Sequence, residues 1–229
     1  MRSSGNQLGH FAVAAFFAFS LAGVAGCGDD EPEFDGGAPQ LTDPQIGSIL
    51  ITANQNAVNA GEVAQTRGSA TQVVAFANRM VTEHSAAITD TQSILRLQNI
   101  GTADSNVNQQ LTTEGNQLVP QLRAAAAGTN FDLTYMCSQV RSNAELIALI
   151  DAQLLPDAQN AVLRTNVQTN RALAQSDLND ALTIVQSLGS QLNIGLSTSL
   201  SDGGTTDSQA AAVCASFGGI VPPAVPTNG

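Results

Sequence analysis

The sequence has no lysine and no tryptophan, and only one tyrosine and two histidines among 229 residues. Its eight basic residues are all arginines and face 19 acids, a net charge of −11. That balance excludes a basic footprint for nucleic acid and a polybasic patch for anionic lipid. Charged residues make up only 12% of the chain, so helical ion pairs are scarce and the polar faces are built from Gln, Asn, Ser and Thr. No stretch alternates apolar and polar residues with period two over a useful length, which argues against strands. There is no GxSxG and no HExxH, and the pairs Gly203-Gly204 and Gly218-Gly219 do not lie between a strand and a helix. Nucleophilic hydrolysis, a zinc protease site and a phosphate cradle therefore have no sequence support, and the chain reads as a non-enzyme. The length suits one domain.

The apolar run at 11–26, FAVAAFFAFSLAGVAG, follows a single charge, Arg2. At 16 residues it is shorter than the roughly 20 that span a bilayer as a helix, and it has the layout of a secretory signal. It ends in Val24-Ala25-Gly26-Cys27, which resembles a bacterial lipobox, so residues 1–26 are expected to be a lipoprotein signal peptide and Cys27 the lipidated first residue. Removal of Arg2 would take the net charge to 7 − 19 = −12 and leave His84 as the only histidine. Gly28, rather than Asp, follows Cys27, which favours the outer membrane, facing the periplasm, within a Gram-negative envelope. Residues 27–42, rich in Asp, Glu, Pro and Gly, read as an acidic flexible tether.

Helical periodicity fills the next stretch. Thr42 or Asp43 can cap a first helix with Pro44 at its start, carrying Ile46, Ile49, Leu50, Ala53, Ala57, Ala60 and Ala64. Ser69 can cap a second, with Val73, Ala77, Met80, His84, Ile88, Thr91 and Leu95 on one stripe. A weaker segment near 104–126 is interrupted by Gly115 and Pro120. A helix capped by Thr129 or Asn130 carries Leu133, Cys137, Val140, Ala144, Ile147 and Ile150. A final helix after Leu155-Pro156-Asp157 carries Ala158, Ala161, Val162, Leu173, Leu182, Val185 and Leu188. The fold class is all-α, an antiparallel up-and-down four-helix bundle over 43–189 with a short extra helical segment. Residues 190–229 form a Gly, Ser and Pro-rich C-terminal tail. With Cys27 assigned to lipid, Cys137 and Cys214 are expected to form a disulfide that staples this tail.

The strings FANRMVTEHSAAI (76–88) and GTNFDLTY (128–135) resemble the DUF4142 family of bacterial exported proteins, which is ferritin-like. Glu62, Phe76, Ala77, Met80, Val81, Glu83 and His84 match its first motifs, and Gly128, Phe131, Asp132, Tyr135 and Val140 its second. The resemblance covers about residues 44–188 and implies a four-helix bundle. Where the family has a second Asp-His, this chain has Ser142-Asn143, and 167–175 contains no late histidine. A di-metal centre of the ferritin type draws Glu-x-x-His units from two helices, which one histidine cannot supply.

The metal candidates are His84, Glu83 and Glu62, with Glu145 or Asp151 as further ligands of a weak mononuclear site. Glu62 is expected opposite position 75, roughly 13 Å along the axis from His84. The expected function is a non-enzymatic cell-envelope lipoprotein, a binding or scaffolding module with no cofactor. Its partners would be the membrane, through Cys27, and an envelope protein. The alternatives are a metal-binding or stress-related ferritin-like protein with one degraded site at His84, and a small-ligand carrier with a cavity in its core.

Overall fold

The computed structural model describes residues 40–191 and Cys214. The expected signal peptide, Cys27, the tether up to residue 39 and the tail from 192, Cys214 apart, lie outside the described residues. Five helices follow in order: α1 (Asp43–Arg67), α2 (Thr71–Leu97), α3 (Asn106–Ala124), α4 (Thr129–Leu149) and α5 (Ala161–Gln191). A π turn, Ile150–Leu154, and a single α turn, Leu155–Asp157, extend α4 before the chain reverses. There is no strand among the described residues.

Helix starts show how local sequence and distant side chains share the capping. At α1, Thr42 and Gln45 form a capping box, with Thr42 N donating to Gln45 Oε1 at 2.9 Å, and Pro44 sits in the first turn. At α2 the cap expected of Ser69 comes instead from α4. The Asp132 carboxylate accepts from Ser69 N, Ser69 Oγ and Ala70 N. An ionised acceptor suits the positive end of the helix dipole, which gives Asp132 of the FDxxY string a structural role. Asp43 likewise accepts from Gln159 N and Asn160 N at the turn into α5. Helix α4 starts after Gly128, at φ +80°, where glycine carries no Cβ penalty; neither Thr129 nor Asn130 caps it.

Successive helices alternate in direction. Asn54 meets His84, and Gly61 faces Val81, so α1 and α2 are antiparallel. Gln72–Ser187, His84–Asp177 and Thr91–Asn166 make α5 antiparallel to α2. Gln45 reaches Asp104, while Arg67 donates to the carbonyls of Leu122, Arg123 and Ala125, so α3 runs parallel to α1. The weaker segment expected near 104–126 is the 19-residue helix α3. Pro120 and Gly115 do not break it. Gly115 is needed there, because a Cβ would lie 2.0 Å from Asn56 Oδ1. Only Leu122 of α3 is buried, so the core belongs to α1, α2, α4 and α5.

That core is divided along its length. One apolar cluster gathers residues such as Val63, Val73, Phe76, Met80, Phe131, Tyr135 and Val185. The other gathers Ile46, Ile49, Leu50, Leu95, Ile150, Leu163 and Val167. The stripe expected on α5 is out of phase at its start: Ala161 and Val162 are exposed, and Leu163, Val167, Ala174, Leu178 and Ala181 are buried. The misreading came from anchoring the period on the turn, where apolar residues are solvated.

Cys137 and Cys214 are disulfide-bonded, 77 positions apart, and both are buried in the first cluster. Cross-linking a loop of that length stabilises by about 4 kcal/mol in the chain-entropy model. Replacing both cysteines by serine should lower the unfolding free energy by up to about that amount, read as a shift of the urea midpoint at unchanged slope. A shift indistinguishable from zero would remove the staple from the account of stability.

The single tyrosine is a second probe. Burial, followed by the nearby Asp177 anion, pushes the Tyr135 phenol far above its ordinary value of 10.0. The native state therefore keeps its proton where the unfolded chain loses it. The contribution is fully present below pH 10 and declines above it by about 1.4 kcal/mol per pH unit. Tyrosinate absorbance should stay flat in the folded protein above pH 10 and rise only with the loss of helical circular dichroism.

Candidate functional site

Between the two apolar clusters lies a belt of buried polar side chains. On α1 it is Asn54; on α2, His84 and Thr91; on α5, Asn166, Asn170 and Asp177, all less than a tenth exposed. Burying such groups is costly unless each finds a partner. Asn54 Nδ2 donates to Leu50 O at 2.7 Å and to Asn170 Oδ1 at 2.8 Å. Asn170 Nδ2 donates to Asn166 O, and Thr91 Oγ1 reaches Asn166 Oδ1 at 2.9 Å. His84 closes the belt, with Nδ1 2.6 Å from Asn54 Oδ1 and Nε2 3.0 Å from Asp177 Oδ2.

This network settles where protons sit. A carbonyl only accepts, so Leu50 O fixes the Asn54 amide with its nitrogen toward α1's own backbone and its oxygen toward His84. His84 Nδ1 must then carry a hydrogen. The second proton of the pair lies between Nε2 and Asp177 Oδ2. Neither ring nitrogen has a free lone pair aimed at an open position. Beyond Asp177 stands Arg79, with Nη2 3.5 Å from Asp177 Oδ1 and 2.6 Å from Asp180 Oδ2, and its Nε 3.7 Å from Glu83. Arg79 is about a third exposed and carries the buried carboxylate's charge balance toward the surface, its guanidinium lying 5.2 Å from the centroid of the Phe76 ring.

The metal candidates do not converge. Glu83 pairs with Arg79 at the surface. Glu62 is exposed and lines a separate depression between α1 and α3, beside Arg67 and Arg123. Glu145 is held by Arg141 at 2.8 Å, and Asp151 accepts from Nε and Nη2 of Arg171. No three His, Cys, Asp or Glu side chains group to hold a metal ion among the described residues. The pairing of α1 and α2 leaves Glu62 about two turns along α1 from His84, since His84 takes Asn54. A ferritin-type di-metal centre does not fit these residues: one imidazole, with both nitrogens engaged, and one buried carboxylate stand where several ligands are needed.

His84 also forms part of the floor of a cleft of about 480 Å³ between α1, α3 and α4. Ala53, Asn56 and Ala57 line it from α1; Leu111, Glu114 and Leu118 from α3; Ser138, Gln139, Asn143, Glu145 and Leu146 from α4. Helix α3 creates this space. Its close approach to α1 at Gly115, secured by Asn56 Nδ2 donating to Leu111 O at 2.7 Å, makes it a wall rather than a core element. The volume falls within the range of small-molecule sites, and a mixed lining of aliphatic and convergent polar groups is what such sites present.

Residues 31–184 match a family model described as a domain of unknown function, DUF4142. The chain belongs to the DUF4142 family. No curated protein and no solved structure matches it. Within the DUF4142 match, the sequence motifs explain His84 and Asp132, but Asn54 and Asp177 carried no motif. A signal existed for Asp177: it is an acid within the apolar stripe Ala174, Leu178, Ala181, and an acid at a core position needs a buried partner.

The buried pair gives a graded expectation. Asp177→Asn keeps a hydrogen-bonding partner of the same shape facing His84 Nε2 and should cost about 1 kcal/mol. Asp177→Leu strands His84 and one side of Arg79, and should cost about 3–5 kcal/mol. Urea unfolding at pH 7 of both variants checks the order; equal losses would show that shape, not charge and hydrogen bonding, is what the position supplies.

Proposed function

We propose that this DUF4142 protein is a non-enzymatic, lipid-anchored protein of the cell envelope whose helical bundle is a binding module. The observation that carries the reading is the cleft between α1, α3 and α4, with its buried polar floor. The same geometry argues against chemistry there. Ser138 Oγ donates to Tyr135 O at 2.6 Å, and both nitrogens of His84 are committed to Asn54 and Asp177. General-base catalysis needs a nucleophile within reach of a base with a free lone pair, and neither partner is free. The cleft is therefore a place to hold a molecule, not to transform one.

The anchor is inferred from the string ending at Cys27, and the residue after it supports the outer membrane, periplasmic side. No helix among the described residues is long and apolar enough to cross a membrane, so attachment would fall to the lipid. A further envelope protein is the partner we propose for the polar, acidic outer faces; the charge balance makes nucleic acid an unsuitable one.

Cys27→Ser should move the protein from a membrane fraction that needs detergent into the aqueous extract, and remove the acyl mass from its N-terminal peptide. A wild-type protein recovered without detergent and without acyl mass would overturn the anchoring.

A further inference from the structure

We infer that the cleft takes an aliphatic primary amine, its ammonium group held by the acceptors of α4 and the carboxylates at the rim. This inference rests on the binding-module reading and names the ligand class for that same cleft. Its basis is an excess of acceptors over free donors in the α4 part of the lining. Asn143 is 4% exposed, and its Nδ2 donates to Gln139 O at 2.9 Å. That bond fixes the amide and leaves Oδ1 as an acceptor to which no side chain or backbone group donates among the described residues. One turn earlier, Gln139 is 2% exposed; its Nε2 makes a long 3.4 Å contact to Ser138 Oγ, and its Oε1 receives no donor. The Ser138 hydroxyl spends its hydrogen on Tyr135 O, so Oγ too can only accept in that arrangement. Gln139 and Asn143 stand about one helical turn apart, about 6 Å along α4, with Ser138 next to Gln139. Neither amide oxygen is among the buried atoms left without a partner; both open onto the cleft, where a group rich in N–H donors can pair with them.

Charge points the same way. Glu114 from α3 and Glu145 from α4 line the cleft. The one cation on its wall, Arg141, is already bonded to Glu145. Glu114 takes one hydrogen bond from Gln110 Nε2 and keeps its other oxygen for a ligand. An ammonium offers three donors and no acceptor, which matches this lining where a carboxylate or phosphate would oppose it. The rest of the ligand is read from Leu111, Leu118 and Leu146, with Ala53 and Ala57 opposite. They form an aliphatic surface suited to methylene groups. No Phe, Tyr or Trp lines the cleft, so it is neither a cage for a quaternary ammonium nor a stacking platform for a sugar or base. A linear diamine or polyamine satisfies all of these constraints.

The test uses the full chain carrying Cys27→Ser, with 1-aminopentane and spermidine titrated calorimetrically beside 1-pentanol as the neutral isostere of the first. The expected result is saturable 1:1 binding of the amines, weakened by salt, with pentanol at least tenfold weaker. Glu114→Gln combined with Glu145→Gln should weaken amine binding at least tenfold and leave the helical circular dichroism unchanged. Glu62→Gln, outside the cleft, should leave the affinity as it is. An equal effect of Glu62→Gln and of the cleft variants would mean attraction to the acidic surface at large and would overturn the inference. Pentanol binding as tightly as the amines, abolished by Ala57→Phe within the cleft, would overturn the amine while leaving the binding module standing. No saturable binding of either class would count against both.

Discussion

The bundle depends on one imidazole satisfied from two sides. His84 lies on α2 with no water to complete its hydrogen bonds, so Asn54 of α1 and Asp177 of α5 must stand at fixed positions to either side of it. That requirement sets the register of three helices at once. A slip of α1 or α5 by a residue would turn its partner away and leave charges or amides unpaired in an interior where that is expensive. Apolar packing alone is more permissive. Stripes of Ala, Val, Leu and Ile can slide by a turn and still bury most of their area. Two apolar clusters give the structure its affinity for itself, and the belt between them determines which of the nearby alignments is adopted.

The same division explains what was legible in the sequence. Helix positions followed from the spacing of Val73, Ala77, Met80 and His84, and from the capping residues Thr42 and Pro44, because these signals are local. The disulfide followed from counting cysteines once Cys27 was set aside. The partners of His84 did not, because Asn54 and Asp177 are 30 and 93 residues away from it and a pairing of that kind depends on how helices face each other. The start of α2 failed for a related reason: Ser69 has the side chain of a cap but donates to Asp132 instead, and that acid comes from α4. Local propensity located the helix boundary and was silent about which residue completes it.

Helix α3 was the least legible element and has the largest consequence for the site. With Gly115 and Pro120 in its length it has little intrinsic helical preference, and a sequence reading rightly ranks it low. It is held from outside, through Asn56 at its middle and Arg67 at its end, where the guanidinium meets three terminal carbonyls. A helix fixed by polar contacts at its edge, with one buried leucine, does not collapse onto the core. The space behind it is the cleft.

The residues that open the first helix are tied to the turn that leads into α5. Leu41 N donates to Asp157 at 2.8 Å, and Asp43 receives two backbone N–H groups from the turn into α5. A pull transmitted through residue 40 would thus load α1 and α5 together, side by side, in place of unwinding α1 turn by turn. The three hydrogen bonds would have to yield in concert, as in shear.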